Sequence, residues 1–302
     1  MEKMPDRKAG ALAAAIAAYV IFGFSFMASS IAMESISPSM LLGLRFLVSF
    51  LIMTALLRAG AGKVRLAGKP VGRFLLLGLC QPVIYFIGEA NGIKLTNSSF
   101  SGVMISLIPV VTALIAPVFL REKLTVRIMG WILCSVFGVA LISVTQKESG
   151  TITPAGILYL LVAVVSASVF VILSRSLSEE FTSFERTYVM MAMGFAVFFT
   201  SAVVREGSAF PASFAAAVTN PRVMCALLYL SAVSSVIAFF CQNYSMTYLD
   251  ATRVIVFANI APVVSVAAGV MILGEPFSPV HAVGIFLILL GVYQVNRLRT
   301  KS

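Results

Sequence analysis

Glu89 stands inside a long apolar stretch, where an ionisable side chain is costly and rarely accidental. Gln81 and Tyr85 precede it at intervals of four residues, so the three side chains share one helix face. A carboxylate facing a protein interior attracts an amine or another cation, and burial makes it easier to protonate. We therefore predict a substrate-binding face on which Glu89 is also the candidate for proton coupling. The alternative places Glu89 at the membrane interface, where it reaches water and pairs with Lys94.

A second polar face appears when the chain is shifted by 153 residues along itself. The shift carries the first face onto Ser234, Ala238 and Gln242, so that Gln242 takes the place of Glu89. An amide facing lipid costs several kcal/mol, so both faces are expected to point into a shared interior. Gln242 is therefore a second predicted binding residue.

Pro109 and Pro262 are related by the same shift, as are Ser106 and Asn259 beside them. A proline inside a helix removes one backbone hydrogen bond, and in lipid the freed carbonyl needs a partner from protein or water. We predict kinks at both prolines and include Ser106 and Asn259 among the binding residues. The kinks are either repaired locally or line a cavity and flex.

Arg45 lies within an apolar run, where its side chain either reaches the outer interface or neutralises Glu89. Tyr19, Phe22 and Phe26 recur at i, i+3 and i+7 and share a helix face. That face either packs against other helices or forms the wall of an amphipathic substrate site. Arg45, Tyr19 and Phe22 complete the predicted set of binding residues.

The composition indicates a chain surrounded by lipid. Of the 302 residues, 60% are hydrophobic and 11% are charged, whereas soluble domains have about 25% charged residues. The net charge of +10 comes from basic residues in short connectors, which is typical of membrane proteins and argues against a nucleic-acid partner.

Few residues are available for catalysis or metal binding. The four cysteines, which we interpret as small buried hydrophobic residues, lie in apolar runs without a CxxC pair: Cys80, Cys134, Cys225 and Cys241. The chain has one histidine, His281, so no metal centre and no cofactor is expected. Ionisable groups at membrane depth are nearly limited to Glu89 and Arg45, which argues against an enzyme.

Ten runs are long enough for helices that cross a bilayer, which requires about 20 apolar residues. They are 9–32, 39–57, 73–93, 99–120, 126–145, 154–174, 185–204, 222–247, 252–273 and 279–296. The longest connectors are the basic turn RAGAGKVRLAGK and the segment from Arg205 to Pro221. With both termini in the cytoplasm, 17 Lys and Arg residues lie inside and 4 outside, which agrees with the positive-inside rule.

The shift also aligns SLIPVVTALIAPVFLREKL with NIAPVVSVAAGVMILGEPF and Gly138 with Gly291. The chain thus divides into repeats at 1–149 and 150–302, with five spans each. Because five is odd, the second repeat enters the membrane inverted, as is typical of secondary transporters. Glu122 and Glu275 fall at helix starts, where a carboxylate favours the positive end of the dipole.

The chain resembles the EamA-type, ten-span members of the drug/metabolite transporter superfamily over nearly its whole length. The resemblance rests on IPVVTALIAPVFLREKL with Gly130 and Gly138, on APVVSVAAGVMILGEPFSPVHAVGIFLILLGV and on SPSMLLGLRFLV. It implies a basket of ten helices whose spans 1, 3, 4, 6, 8 and 9 line a central cavity, with spans 5 and 10 peripheral. It also implies movement of small metabolites such as amino acids, most often as export.

We therefore predict an all-α membrane protein with two inverted five-helix repeats around a central cavity. Its predicted function is secondary transport, by alternating access, of amino acids or related amine or cationic compounds. An importer of a charged metabolite, a multidrug exporter, a pore, a membrane scaffold and an embedded enzyme are the alternatives. The expected location is the bacterial cytoplasmic membrane, the expected partners are a small-molecule substrate and lipid, and the chain is a monomer or a homodimer.

Overall fold

The computed structural model describes residues 4–65, 67–96, 101, 104–120, 124–144, 153–272 and 278–300. Within these residues the chain is helical, and we number ten helices in chain order. The first five are α1 (Met4–Met33), α2 (Pro38–Arg58), α3 (Val71–Gly78, Leu79–Ile84 and Tyr85–Leu95), α4 (Ile108–Leu120) and α5 (Val126–Val144). The others are α6 (Pro154–Ser176), α7 (Ser183–Thr219), α8 (Pro221–Leu228, Tyr229–Ala238 and Phe239–Tyr248), α9 (Ala251–Ile255, Val256–Asn259 and Ile260–Ile272) and α10 (Pro279–Thr300).

Each helix falls on one predicted span. Eight are long and apolar enough to cross a membrane, whereas α4 and α5 form two shorter apolar helices beside residues outside the described part. The segment from Arg205 to Pro221, predicted to be a connector, is mostly helical instead. After a bend at Gly207, whose φ is +52°, α7 continues as the helix Phe210–Thr219. The segment 210–219 is rich in alanine, which favours a helix even in a stretch too short to span a membrane.

Three helices begin in the same way, with a side-chain cap followed by a proline. Ser37, Thr153 and Asn220 accept hydrogen bonds from backbone N–H groups of α2, α6 and α8, and a proline follows each of them. Such a cap satisfies an amide that has no partner in the first turn, and proline at the first helical position loses nothing. These starts are therefore set locally.

The two halves pack against each other reciprocally. α1 of the first half contacts α8 and α9 of the second, while α6 of the second contacts α3 and α4 of the first. Likewise α2 contacts α8, α7 contacts α3, and the pairs α2–α7 and α5–α10 each join equivalent helices. Exchanging the halves leaves this pattern unchanged.

Glycines set the closest helix approaches. An added Cβ at Gly138 of α5 would lie 2.6 Å from the Gly284 carbonyl oxygen of α10, and one at Gly291 would lie 2.6 Å from the Trp131 carbonyl oxygen. Gly88 similarly brings α3 against α6, where its Cβ would lie 2.8 Å from the Tyr159 carbonyl oxygen. Small residues at such contacts let helix backbones pack closely in a membrane.

The basic connector between α2 and α3 is anchored to the start of α7. Glu185 lies in the first turn of α7 and accepts from Lys69 Nζ at 3.0 Å and from the Arg65 backbone N–H at 2.9 Å. The same carboxylate closes a capping box with Thr182. This connector is therefore held against α7.

Arg186, one of the 17 basic residues assigned to the cytoplasmic side, is fully buried in the first turn of α7. The prediction that all four cysteines are buried is wrong for Cys225. Cys225 is exposed, whereas Cys80 is buried and Cys134 and Cys241 are partly buried. Burial in both cases depends on which helix face meets a neighbour. Glu122 and Glu275 lie outside the described residues, as do the side chains of Phe26 and Lys94.

Candidate functional site

The Tyr85–Glu89 pair lies on the last segment of α3. Tyr85 begins that segment, so Glu89 follows it by about one turn on the same face. The Tyr85 hydroxyl donates to Glu89 Oε1 at 2.8 Å, and both side chains are half-buried. The carboxylate also attracts the buried Arg45 electrostatically. Glu89 thus lies within reach of the charge on α2.

Arg45 points into the protein from α2 and is only 5% exposed. Its Nε donates to Ser235 Oγ at 2.7 Å, and its Nη2 donates to Ser234 Oγ at 3.1 Å. The guanidinium carbon lies 5.3 Å from the centre of the Phe86 ring. A guanidinium has five N–H donors, and within the described residues Nη1 makes no hydrogen bond. Donors therefore remain for an acceptor.

Arg45 and Glu89 attract each other without forming a direct ion pair. Their charges interact, yet their N and O atoms stay farther apart than the 4.0 Å of a salt bridge, within the described part of the chain. Of the two outcomes expected for Arg45, contact with the outer interface is not observed, since the side chain is buried, and the interaction with Glu89 is electrostatic attraction without a salt bridge. The serines of α8 hold the guanidinium instead, which sequence spacing does not reveal.

Serines complete the surroundings of Arg45. Ser25 of α1 donates to Ser234 Oγ at 2.7 Å, and Ser49 of α2 donates to the Ser231 carbonyl oxygen at 3.0 Å. Ser25 and Ser235 were not among the binding residues that the sequence pattern predicted. The available signal was the small polar run SAVSS, 231–235, inside the apolar stretch of α8.

The Tyr19–Gln242 pair joins α1 to α8. Gln242 Nε2 donates to the Tyr19 hydroxyl at 2.9 Å, and both residues are 4% exposed. Gln242 Oε1 is buried and has no hydrogen-bond partner among the residues that the structure describes. The Phe22 ring lies 5.7 Å from the Tyr19 ring and 5.0 Å from that of Phe239. Because an unpaired buried acceptor is costly, Gln242 Oε1 is available to a donor from a ligand.

Six of the predicted residues come together, and we call them the polar cluster. They lie on α1, α2, α3 and α8 and are connected by the contacts above and by electrostatic coupling of Tyr85 to Tyr19 and Arg45. The members are Tyr19, Phe22, Arg45, Tyr85, Glu89 and Gln242. Tyr19, Arg45 and Gln242 are only 4–5% exposed, whereas Phe22, Tyr85 and Glu89 are partly exposed, so the cluster is closed around Arg45 and Gln242 and partly open at Glu89.

Gln81, Ser106 and Asn259 are placed differently. At Gln81 the backbone is extended, with φ −143° and ψ 121°, so this residue does not continue the helix face of Tyr85 and Glu89. Asn259 donates to Ser135 Oγ on α5 at 2.8 Å, where α9 contacts α5 and α10. Ser106 is buried in the turn before α4. The i, i+4 spacing did not predict the position of Gln81 relative to Tyr85, because the helix is interrupted at Gln81.

Pro109 lies at a helix start, whereas Pro262 lies within α9, just after its 3₁₀ turn. Pro109 is the second residue of α4, where the missing N–H has no helical partner to lose. Pro262 follows the 3₁₀ turn Val256–Asn259 and is the third residue of the last segment of α9. The predicted loss of an internal hydrogen bond therefore does not occur at Pro109. Irregular backbone nevertheless precedes both prolines.

Two apolar cavities lie between α3 and α6, away from the polar cluster. They have volumes of about 370 and 470 Å³ and share Ile84 and Val162 in their linings. Exposed apolar side chains such as Leu158, Leu161 and Val165 border them. Their chemistry suits hydrocarbon and not a charged solute.

Comparisons with known proteins agree with this architecture. The model of the EamA-like transporter family matches residues 9–144 and 154–297. The chain is 31% identical to the uncharacterized transporter YcxC of Bacillus subtilis over 94% of this chain and 91% of that protein. It is 25% identical to an uncharacterized transporter of Archaeoglobus fulgidus, covering 92% and 95% of the two chains.

A solved crystal structure has the same fold, with a TM-score of 0.77 over 97% of this chain and 98% of that one. Its sequence identity is 19%, so that likeness concerns the fold alone. The two family matches, the transporter relatives and the apolar helices identify a membrane protein that transports a solute and is not an enzyme. The chain belongs to the EamA-like transporter family.

Proposed function

We propose that this membrane transporter is a secondary carrier that moves a small amine-bearing metabolite, such as an amino acid, by alternating access. The observation that carries the proposal is the presence of Glu89 and Arg45 in one cluster without a direct ion pair. Each charge keeps hydrogen-bonding capacity for a partner outside the protein. An amine fits the carboxylate of Glu89, and a carboxylate of the same solute fits the free donors of Arg45.

The remaining predicted residues have secondary places in this proposal. Tyr19, Phe22 and Gln242 form a wall that offers aromatic surface and one unpaired acceptor. Gln81, Ser106 and Asn259 stay proposed contacts only for a conformation in which the helices have moved. Glu89 is also the group we propose for proton coupling, since its carboxyl is the acid of the polar cluster.

The proposed topology is ten spans in two inverted repeats, with both termini in the cytoplasm. The reciprocal packing of the two halves supports a two-fold relation between them. An odd number of spans per half makes that relation an inversion, and the Lys and Arg distribution supports the orientation. Irregular backbone before Pro109 and Pro262 provides places where helices bend during alternation. Export is the direction we propose, because the family resemblance implies it.

A thermal-shift screen of the purified protein tests the substrate class. Matched trios are compared: an amino acid, the amine left by decarboxylation, and the acid left by removal of the amino group. Since a ligand at 100 times its Kd stabilises by about 2.7 kcal/mol, amine-bearing members should raise the melting temperature. The amino acid should do so most strongly, and the acid without an amine, which keeps only the contact with Arg45, should have the smallest effect. Stabilisation by the acid alone would contradict the assignment of Glu89.

Flux measurements on proteoliposomes distinguish a carrier from a pore. A carrier saturates with substrate and exchanges labelled for unlabelled solute across the membrane, whereas flux through a pore stays proportional to concentration. We expect saturation and exchange for the solute found in the screen. Linear flux without exchange would contradict alternating access, and accumulation against a gradient only on the cytoplasmic side would replace export with import.

A further inference from the structure

Arg186 joins three helices at one end of the molecule. It lies in the first turn of α7 and is fully buried. Its Nη1 donates to the carbonyl and hydroxyl oxygens of Ser174, at 2.6 and 2.8 Å. Its Nη2 donates to the Asn243 carbonyl oxygen at 2.8 Å and to Thr247 Oγ1 at 2.6 Å. One side chain of α7 therefore binds the ends of α6 and α8.

No carboxylate is among these partners. The neighbouring acid, Glu185, binds Lys69 and the Arg65 backbone N–H instead. The charged group that interacts with Arg186 is a second guanidinium, that of Arg175, which repels it. In the described part of the chain, Arg186 Nε is buried and has no hydrogen-bond partner. A buried charge without a counter-ion is expensive, and apolar residues of similar volume often give equal or greater stability. Packing alone therefore does not explain an arginine at this position.

The partners of Arg186 lie at the carboxyl ends of two helices. Ser174 is in the last turn of α6, and Thr247 is in the last turn of α8. Arg175 adds hydrogen bonds to the carbonyls of Met246 and Thr247, at 3.1 and 3.0 Å. Helix ends carry partial negative charge and unpaired carbonyls. If the ends separate, water can satisfy both the carbonyls and the guanidiniums, so the contact is reversible.

This end of α8 is directly continuous with the polar cluster. Gln242 belongs to the cluster, while the next residue, Asn243, accepts from Ser174 Oγ at 2.7 Å and donates to Thr187 Oγ1 at 3.1 Å. Both residues are on one helical segment, Phe239–Tyr248. A movement of α8 away from α6 and α7 therefore moves the wall of the cluster.

We propose that Arg186 is the latch of a gate on the side of the molecule that carries the connector 59–70. The latch holds α6, α7 and α8 together while the polar cluster is closed to that side, and it releases them when the cluster opens there. This inference rests on the alternating access proposed above. It assigns to Arg186 a positioning role and no contact with the substrate.

Thiol labelling from each side of the membrane tests the latch. The reporter is Ser25→Cys in a protein whose four native cysteines are all replaced by alanine. Ser25 is hydrogen-bonded to Ser234, which in turn binds Arg45 of the polar cluster. A separate Lys63→Cys protein, changed in the exposed connector, identifies which membrane face carries the connector. In Arg186→Met, labelling by a membrane-impermeant reagent from that face should be at least about fivefold faster, because charged hydrogen bonds of this strength are lost.

Two further variants sharpen the test. Thr247→Val removes one acceptor of Arg186 and keeps the side-chain shape, so it should shift labelling in the same direction by less. Arg205→Met makes the same substitution at an exposed arginine of α7 and should leave labelling unchanged. Thr247→Val carries the test if Arg186→Met fails to elute as folded protein.

The outcomes separate the latch from the transport cycle. Labelling that is equally slow from the connector face in wild type, Arg186→Met and Thr247→Val, although the opposite face labels readily, would overturn the latch and keep alternating access. Absence of labelling from both faces in every variant would overturn alternating access and the latch with it. Faster labelling from both faces equally would mean general loosening and would also reject the latch.

Discussion

The Glu89→Gln transporter is expected to bind the amine-bearing substrate about thirtyfold more weakly than wild type. This factor corresponds to about 2 kcal/mol for a lost charged hydrogen bond. The amide keeps the size of the carboxylate and can still accept from Tyr85, whose hydroxyl lies 2.8 Å from Glu89 Oε1. The variant should therefore fold normally, while Arg45 loses the nearby negative charge. Concentration-dependent uptake into proteoliposomes measures the effect.

The matched control for this change is Glu179→Gln, which neutralises an exposed carboxylate outside the polar cluster. It should leave transport unaltered. Transport by wild type and Glu89→Gln should also be compared across pH. If the Glu89 carboxyl couples transport to protons, its removal should abolish the pH dependence of the transport rate. A full-strength Glu89→Gln transporter would reject Glu89 as the amine site, and an unchanged pH profile would reject its role in proton coupling.

Gly138→Ala is expected to destabilise the protein by about 1–3 kcal/mol, the usual cost of overpacking a tight contact. The new Cβ would lie 2.6 Å from the Gly284 carbonyl oxygen and 2.9 Å from Ile288 Cγ1 on α10. Two helix backbones meet there, so the strain cannot be relieved by rotating a flexible side chain. The melting temperature in detergent should fall by several degrees.

Gly130→Ala provides the control within the same helix. Among the residues that the structure describes, none has an atom within 4 Å of a Cβ added at Gly130, and this glycine is exposed. Alanine favours a helix over glycine by up to about 1 kcal/mol, so stability should be unchanged or slightly higher. Equal melting temperatures for Gly138→Ala and Gly130→Ala would contradict the close approach of α5 and α10.

The sequence predicted the helical elements well because each depends on a short window. Apolar runs of membrane length located α1, α2, α6 and α10 within about five residues of their observed ends. The helix Phe210–Thr219 was missed, since a run of alanines lacks the length that marks a span.

The polar cluster was predictable in part for a related reason. Tyr85 and Glu89 lie on one uninterrupted segment, so spacing alone placed them together. Gln81 lies across a break, and its spacing therefore gave a wrong face. Asn259 shows a second limit, because its neighbour Ser135 comes from a helix 124 residues away in the chain.

Composition and periodicity by themselves determined a lipid-embedded, helical, repeated chain with a few polar residues at depth, because hydrophobic length and helical period are local properties. The tertiary structure alone decided the partners of those residues. It placed Arg45 on the serines of α8 without an ion pair to Glu89, and it buried Arg186 where two helix ends converge. Such contacts join residues from distant parts of the chain, and the energy that selects them comes from satisfying buried charges and carbonyls only after the helices have packed.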